Sequence, residues 1–130
     1  MFRDSRLRAE LMRFVYSRER WPGLGSVWSP PVDVFESENA LIVRVEIAGM
    51  ARDDFDVVLT GRRLVVRGER RDRLCKRAYY TMAVPFGRFA ADVDLPSDVP
   101  YDAERVSATY ENGFLIVDVP IVRGVVEIGA

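Results

Sequence analysis

The sequence predicts an all-β fold, an immunoglobulin-like antiparallel β-sandwich preceded by a partly helical arm and followed by a short tail. Two observations carry that reading. From Pro30 to Pro120 apolar residues recur at every second position in short runs, which is the period of a strand with one buried face. The runs are separated by Gly, Pro and one Asn-Gly pair, residues that end strands and form tight turns. The pattern changes at both ends, dividing the chain into an arm (1–28), a sandwich domain (29–120) and a tail (121–130).

Each strand is read from its alternation. In "ALIVRVEIAG" Leu41, Val43, Val45 and Ile47 share one face, opposite Ile42, Arg44 and Glu46. "DFDVVLTG" places Phe55, Val57 and Leu59 together, and "RLVVRGER" places Leu64 and Val66 together. "GRFAADVDLP" aligns Phe89, Ala91, Val93 and Leu95; "RVSATY" aligns Val106, Ala108 and Tyr110; "FLIVDVP" aligns Leu115, Val117 and Val119. Between the last two lies "ENGF". Asn112 and Gly113 accept the positive φ of a two-residue hairpin, so these strands pair directly.

The arm has helical spacing instead. Leu7, Leu11, Phe14 and Val15 fall on one helical face, with Asp4 or Ser5 as a candidate cap. "WPGLGSVW" then interrupts the helix. The arm holds six Arg against three acids, a formal +3, and the remainder 13 basic against 17 acidic residues, a formal −4. In the tail, Val126 and Ile128 are two apart, so an extended backbone sends both side chains to one side. They form a two-pronged apolar motif.

Composition narrows the function. The net charge of −1 provides no field favouring nucleic acid or an anionic membrane. No apolar run approaches the roughly 20 residues that span a bilayer. The first residues mix Arg with acids, unlike a secretory leader. The lone Cys75 excludes an internal disulfide framework. Together these favour a reduced, cytoplasmic setting. The chain has no histidine, so imidazole-based acyl transfer and most zinc sites are excluded, and an enzyme is not expected.

The remaining charged clusters each have two readings. "DDFD" at 53–56 could bind a divalent cation, but a solvated turn leading into a strand explains it. Asp92, Asp94 and Asp98 suit the outer face and turn of a strand. "RGERRDRLCKR" at 67–77 could hold phosphate, but it lacks an aromatic platform and reads as a solvated loop. Cys75 within it could sense redox state; with only Lys76 and Arg77 nearby to activate it, an ordinary loop thiol is favoured.

Five segments, in order, resemble the signatures of the small heat-shock proteins and their α-crystallin domain. "AGM" followed by "ARDDFDVVL" is similar to the Leu-Pro-Gly-Phe and Asp-Ile-x-Val signature. "VVRGER" is similar to Ile-x-Gly-Glu-Arg. "FGRFAADVDLP" is similar to Tyr-Gly-x-Phe-x-Arg-x-Phe-x-Leu-Pro. "ATYENGFLIVDVP" is similar to Ala-x-x-x-Asn-Gly-x-Leu-x-Val-x-x-Pro, and the final "VEI" to Ile-x-Ile. The resemblance covers roughly residues 30–128. Three departures stand out. Ala83 and Ala91 replace a Glu and an Arg that pair across the dimer in bacterial and plant relatives. Pro120-Ile121 replaces Pro-Lys. Only Ile121 to Val125 separate Pro120 from the first prong.

The resemblance implies how the parts work. Val126 and Ile128 would dock in a groove on a neighbouring subunit, between the strand of Val57 and Leu59 and the strand of Val106 and Ala108. Arg70 to Tyr80 would form an excursion, and the segment with Tyr79, Tyr80, Met82, Ala83 and Val84 would pair with a partner subunit. The implied activity is that of an ATP-independent holdase in a homo-oligomer built from dimers. Phe2, Leu7, Leu11, Phe14, Trp21 and Trp28 in the arm would hold unfolded client proteins. No cofactor, nucleic acid or membrane is expected as a partner; the chain has no Gly-rich phosphate loop. The rival reading is a co-chaperone or adaptor sandwich for one folded partner.

Overall fold

The structure is a computed structural model and describes residues 27–122. Seven strands form two antiparallel sheets: β1 (Val32–Glu36), β2 (Ala40–Glu46), β3 (Phe55–Thr60), β4 (Arg63–Arg70), β5 (Gly87–Asp94), β6 (Ser107–Glu111) and β7 (Phe114–Pro120). One sheet has the order β1-β2-β7-β6 and the other β3-β4-β5. This is the sandwich that the alternation predicts, and six of its strands coincide with the six runs read above. β1 is not among them: "VDVFE" is short and follows two prolines, and Phe35 next to Val34 breaks the alternation begun by Val32 and Val34.

The inward positions meet between the sheets. Leu41, Val43, Val45 and Ile47 pack with Phe55, Val57, Leu64, Val66, Phe89, Ala91 and the apolar residues of β6 and β7. Phe89 is fully buried, with its ring centroid 6.4 Å from Phe55 and 5.6 Å from Trp28. Gly68 lies opposite Phe89 in the β4–β5 register. A Cβ there would come within 2.7 Å of the Asp54 carbonyl oxygen and 2.9 Å of the Phe89 ring, so only glycine lets the backbone and ring approach this closely. The Asn112-Gly113 turn joins β6 and β7 with φ of 55° and 83°, as the hairpin requires.

The long β5–β6 connection is held by one side chain. Arg62 Nη1 donates to the carbonyls of Pro96 (2.7 Å) and Val99 (2.6 Å), and its guanidinium lies 4.9 Å from the Tyr101 ring centroid. Tyr101 OH in turn donates to the Gly61 carbonyl. Asp102 caps the short 3-10 turn Ala103–Arg105 by accepting from the Glu104 amide at 3.0 Å.

Candidate interaction surfaces

The β4–β5 hairpin has a closed neck and an open loop. Arg70 and Gly87 are register partners, so two residues would suffice to connect them; the chain instead makes an excursion over residues 71–86. Arg70 closes the neck. Its Nε and Nη2 donate to the Pro85 carbonyl (3.1 and 2.5 Å) and its Nη1 to that of Ala48 (3.2 Å). The same guanidinium lies 4.7 Å from the Trp28 ring and 5.1 Å from the Phe86 ring. Beyond this buckle the apolar side chains face outward. Leu74 is 77% exposed, Tyr80 fully, Met82 71% and Val84 60%, with Tyr79 and Phe86 also exposed. Ala83 is exposed beside them. The excursion therefore begins at Arg71, because Arg70 is the last residue of β4. Within this single chain Tyr80 to Val84 form no strand.

Two of the basic side chains of this loop are paired with carboxylates. Lys76 Nζ lies 2.8 Å from Asp72 and also donates to the Leu74 carbonyl at 3.0 Å. The Lys76 ammonium, with the Leu74 amide, holds the Asp72 carboxyl below the usual carboxylate range, and Asp72 raises the pKa of Lys76 in return. Arg71 lies 3.6 Å from Glu69. Cys75 is exposed. In the acidic turn, Asp54 accepts from the Ala51 amide at 3.1 Å, the role of a turn carboxylate. Asp92 pairs with Arg63 on the outer sheet face.

A second exposed surface is the free edge of β1, which pairs only with β2. Val34 and Phe35 are each 39% exposed there. Arg44 stacks on Phe35 at 5.1 Å and pairs with Asp33. An accessible edge carrying apolar side chains is a template for another strand.

The groove residues named by the resemblance divide differently. Val57, Val106 and Ala108 are at most 1% exposed and belong to the core cluster. Alternation turns all three between the sheets. Leu59 is half-buried against that core. β3 and β6 are edge strands of opposite sheets, joined at one end by Phe55 and Tyr110, whose rings are 5.0 Å apart. Tyr110 OH donates to the Ile47 carbonyl at 2.7 Å. Val57, Val106 and Ala108 thus lie in the core, with Leu59 the one of the four nearer the surface.

Trp28 is a correction to the arm. Its amide donates to the Arg88 carbonyl (3.1 Å) and its carbonyl accepts from the Ala90 amide (3.0 Å), so it lies along β5, half-buried under Arg70. Its backbone is therefore joined to the sandwich, whereas the sequence reading placed it in the arm. Phe2, Leu7, Leu11, Phe14 and Trp21 lie outside the described residues, as do Val126 and Ile128. The root of the tail is fixed: Ile121 bridges Tyr101, its amide donates to the Asn39 carbonyl (2.9 Å), and the Val122 amide donates to that of Pro100 (3.0 Å). Neither the Arg70 buckle nor the tail clamp was read from the sequence. Both depend on carbonyls that tertiary structure brings close.

Among the described residues no group of acids and cysteine could hold a metal ion, and no helix is long and apolar enough to cross a membrane. A family profile described as the Hsp20/alpha crystallin family matches residues 33–127. Heat shock protein 16 of Schizosaccharomyces pombe is 30% identical over 73% of this chain and 68% of its own length. Small heat shock protein C4 of Rickettsia felis is 28% identical over 72% of this chain; the match spans only 58% of that relative. Among solved structures, heat shock protein 16.0 from Schizosaccharomyces pombe superposes with a TM-score of 0.63 at 28% identity, covering 72% of this chain and 87% of that one. The hspA protein of Xanthomonas axonopodis gives 0.64 at 25% identity, covering 72% and 94%.

Proposed function

The chain belongs to the Hsp20/alpha crystallin family, and from that premise we propose that it is an ATP-independent holdase that binds unfolding proteins and prevents their aggregation. The observation that carries the reading is the run of exposed apolar side chains from Leu74 to Phe86. Single exposed apolar residues are ordinary, but a contiguous set implies a partner.

The partner of first resort is a second copy. The segment Tyr80–Val84 has the exposure a pairing strand would have, and β1, at the edge of its sheet among the described strands, is placed to receive it. Ala83 is exposed in the loop and Ala91 lies in the core, so the contact between copies would be apolar, with no charged pair at these positions. The tail prongs would then join dimers into a larger homo-oligomer. Burying each prong is worth at most about 1.5–3 kcal/mol, offset in part by ordering the tail. Single docks are weak, and many in one assembly reinforce each other. Heating would release arm and tail contacts and free apolar surface for clients. The work is done in a cytoplasmic setting, without cofactor, nucleic acid or membrane.

The test is suppression of light scattering from a heat-unfolded client, without nucleotide, at near-stoichiometric amounts. Unchanged aggregation at several-fold excess of this protein would refute the holdase reading. An adaptor for one folded partner would instead be monomeric and inactive in that assay.

A further inference from the structure

We propose that the outward face of the three-stranded sheet is the docking site of this chain's own N-terminal arm, residues 1–26. The register pairs Val58 with Val65 and Arg67 with Ala90, and alternation sends all four away from the second sheet, which covers Val57, Leu64, Val66 and Phe89. A face so placed should be open to water. Its rim is open, with Asp56, Arg63 and Asp92 about half exposed, but its centre is not: Val58 is 1% exposed, Val65 2%, Arg67 7% and Ala90 9%, although none belongs to the core cluster between the sheets. Arg67 is telling, since a guanidinium is rarely buried on the outside of a sheet. Its Nε lies 3.5 Å from the carboxylate of Asp56, which itself stays half exposed.

The candidates for this cover within the chain are few. The 71–86 excursion turns its apolar side chains outward, so they do not line a contact with this face. The tail leaves from a root clamped to Asn39 and Pro100. The arm enters at the right place, because Trp28 is hydrogen-bonded to the backbone of Arg88 and Ala90 at the edge of the buried patch. Reach and size also fit. Ala90 to Val58 crosses two strand spacings, about 10 Å. The apolar stripe Leu7, Leu11, Phe14 and Val15 is about 12 Å long at helical rise. Residues 16–27 can span up to about 40 Å, ample to lay that stripe across the sheet. The docking stands whether or not the arm also takes clients. If it does, the resting arm is stored on its own domain, and client must compete with the sheet for the stripe.

The test uses thiol labelling on the full chain. Val65→Cys, and separately Ala90→Cys, are made with Cys75→Ser, and maleimide reaction rates are compared with and without Leu7→Asp, Leu11→Asp and Phe14→Asp. Docking predicts labelling far slower than that of native Cys75, accelerated at least tenfold by the arm substitutions and independent of protein concentration. Rapid labelling with the native arm, or equal rates with both arms, overturns the proposal. Protection lost on dilution would assign the cover to a second copy. Protection lost only in Val126→Asp with Ile128→Asp would assign it to the tail; either result overturns the arm. The two cysteine sites guard against one substitution disturbing the fold, which circular dichroism checks.

Discussion

Two positions show how much one residue can hold. Gly68 allows β4 to pass within contact of Asp54 and Phe89. Gly68→Ala must displace backbone on one side and a fully buried ring on the other, so it should destabilise the domain by on the order of 1–3 kcal/mol, read as a lower midpoint in urea. Arg70 joins Trp28, Ala48, Pro85 and Phe86 through one planar fork. Arg70→Ala should cost about 1 kcal/mol, and Arg70→Lys should recover little of it, since an ammonium has no plane to stack between two rings. Full recovery by Lys would mean that charge alone matters there. At Asp72 the expected effect is a titration. Its lowered pKa means that the pair with Lys76 contributes above the ordinary carboxylate range and fades as pH falls through the lowered value. The raised Lys76 pKa means that the contribution is lost at the alkaline end only as pH rises through that raised value. The pair therefore persists through the neutral range. Lys76→Ala should shift the Asp72 carboxyl resonance midpoint upward in an NMR titration.

Among the elements, the excursion is the part the hairpin does not need. Arg70 and Gly87 already face each other, so replacing residues 71–86 with a two-residue Asn-Gly turn should leave β4 and β5 paired, with the thermal midpoint lowered only by the loss of Arg70's contacts to Pro85 and Phe86. If the loop makes the dimer, the shortened chain should sediment as a monomer at micromolar concentration. A shortened chain that remained dimeric would move the contact to another edge, with β1 the first to examine. The tail is shorter in practice than its sequence suggests. With Val122 bonded to Pro100, the span to Val126 is at most about 14 Å, against about 18 Å counted from Ile121. The clamp also places the tail root beside Tyr101, whose hydroxyl reaches Gly61 at the β3–β4 turn, close to the cleft of its own subunit.

For the whole molecule, that short reach makes assembly size the informative measurement. Val126→Asp with Ile128→Asp keeps the tail length but puts carboxylates where apolar prongs must lose water, at several kcal/mol for a buried, unpaired charge. If the prongs bridge subunits, native mass spectrometry should show the higher oligomer reduced to dimers, with the sandwich melting little changed. An unchanged mass would mean that the prongs serve their own domain or stay free. Val57→Asp tests the cleft less cleanly than its position in "DFDVVLTG" suggests. Val57 is core, so loss of folding is expected alongside any loss of assembly, and Leu59→Asp is the better probe.

Alternation alone determined six strands, the inward faces that form the core, and the Asn112-Gly113 hairpin, because burial of one face repeats every two residues and needs no knowledge of what lies opposite. It could not say how deeply an inward residue sits, and only the packing of the two sheets shows that Val57, Val106 and Ala108, named for a groove, are core residues. The same period was silent on Val58, Val65 and Ala90: both faces of β3 and β4 are apolar at their centre, and only the placement of the second sheet distinguishes core from outer face. Trp28 read as arm because it lies before the first alternating run, whereas its backbone pairs with β5, far later in the chain, through its bonds to Arg88 and Ala90. Residue type and spacing determine local structure through local sterics and solvation. Which edges stay free, and what closes the others, depends on backbone groups distant in sequence, and the tertiary structure alone brings those together.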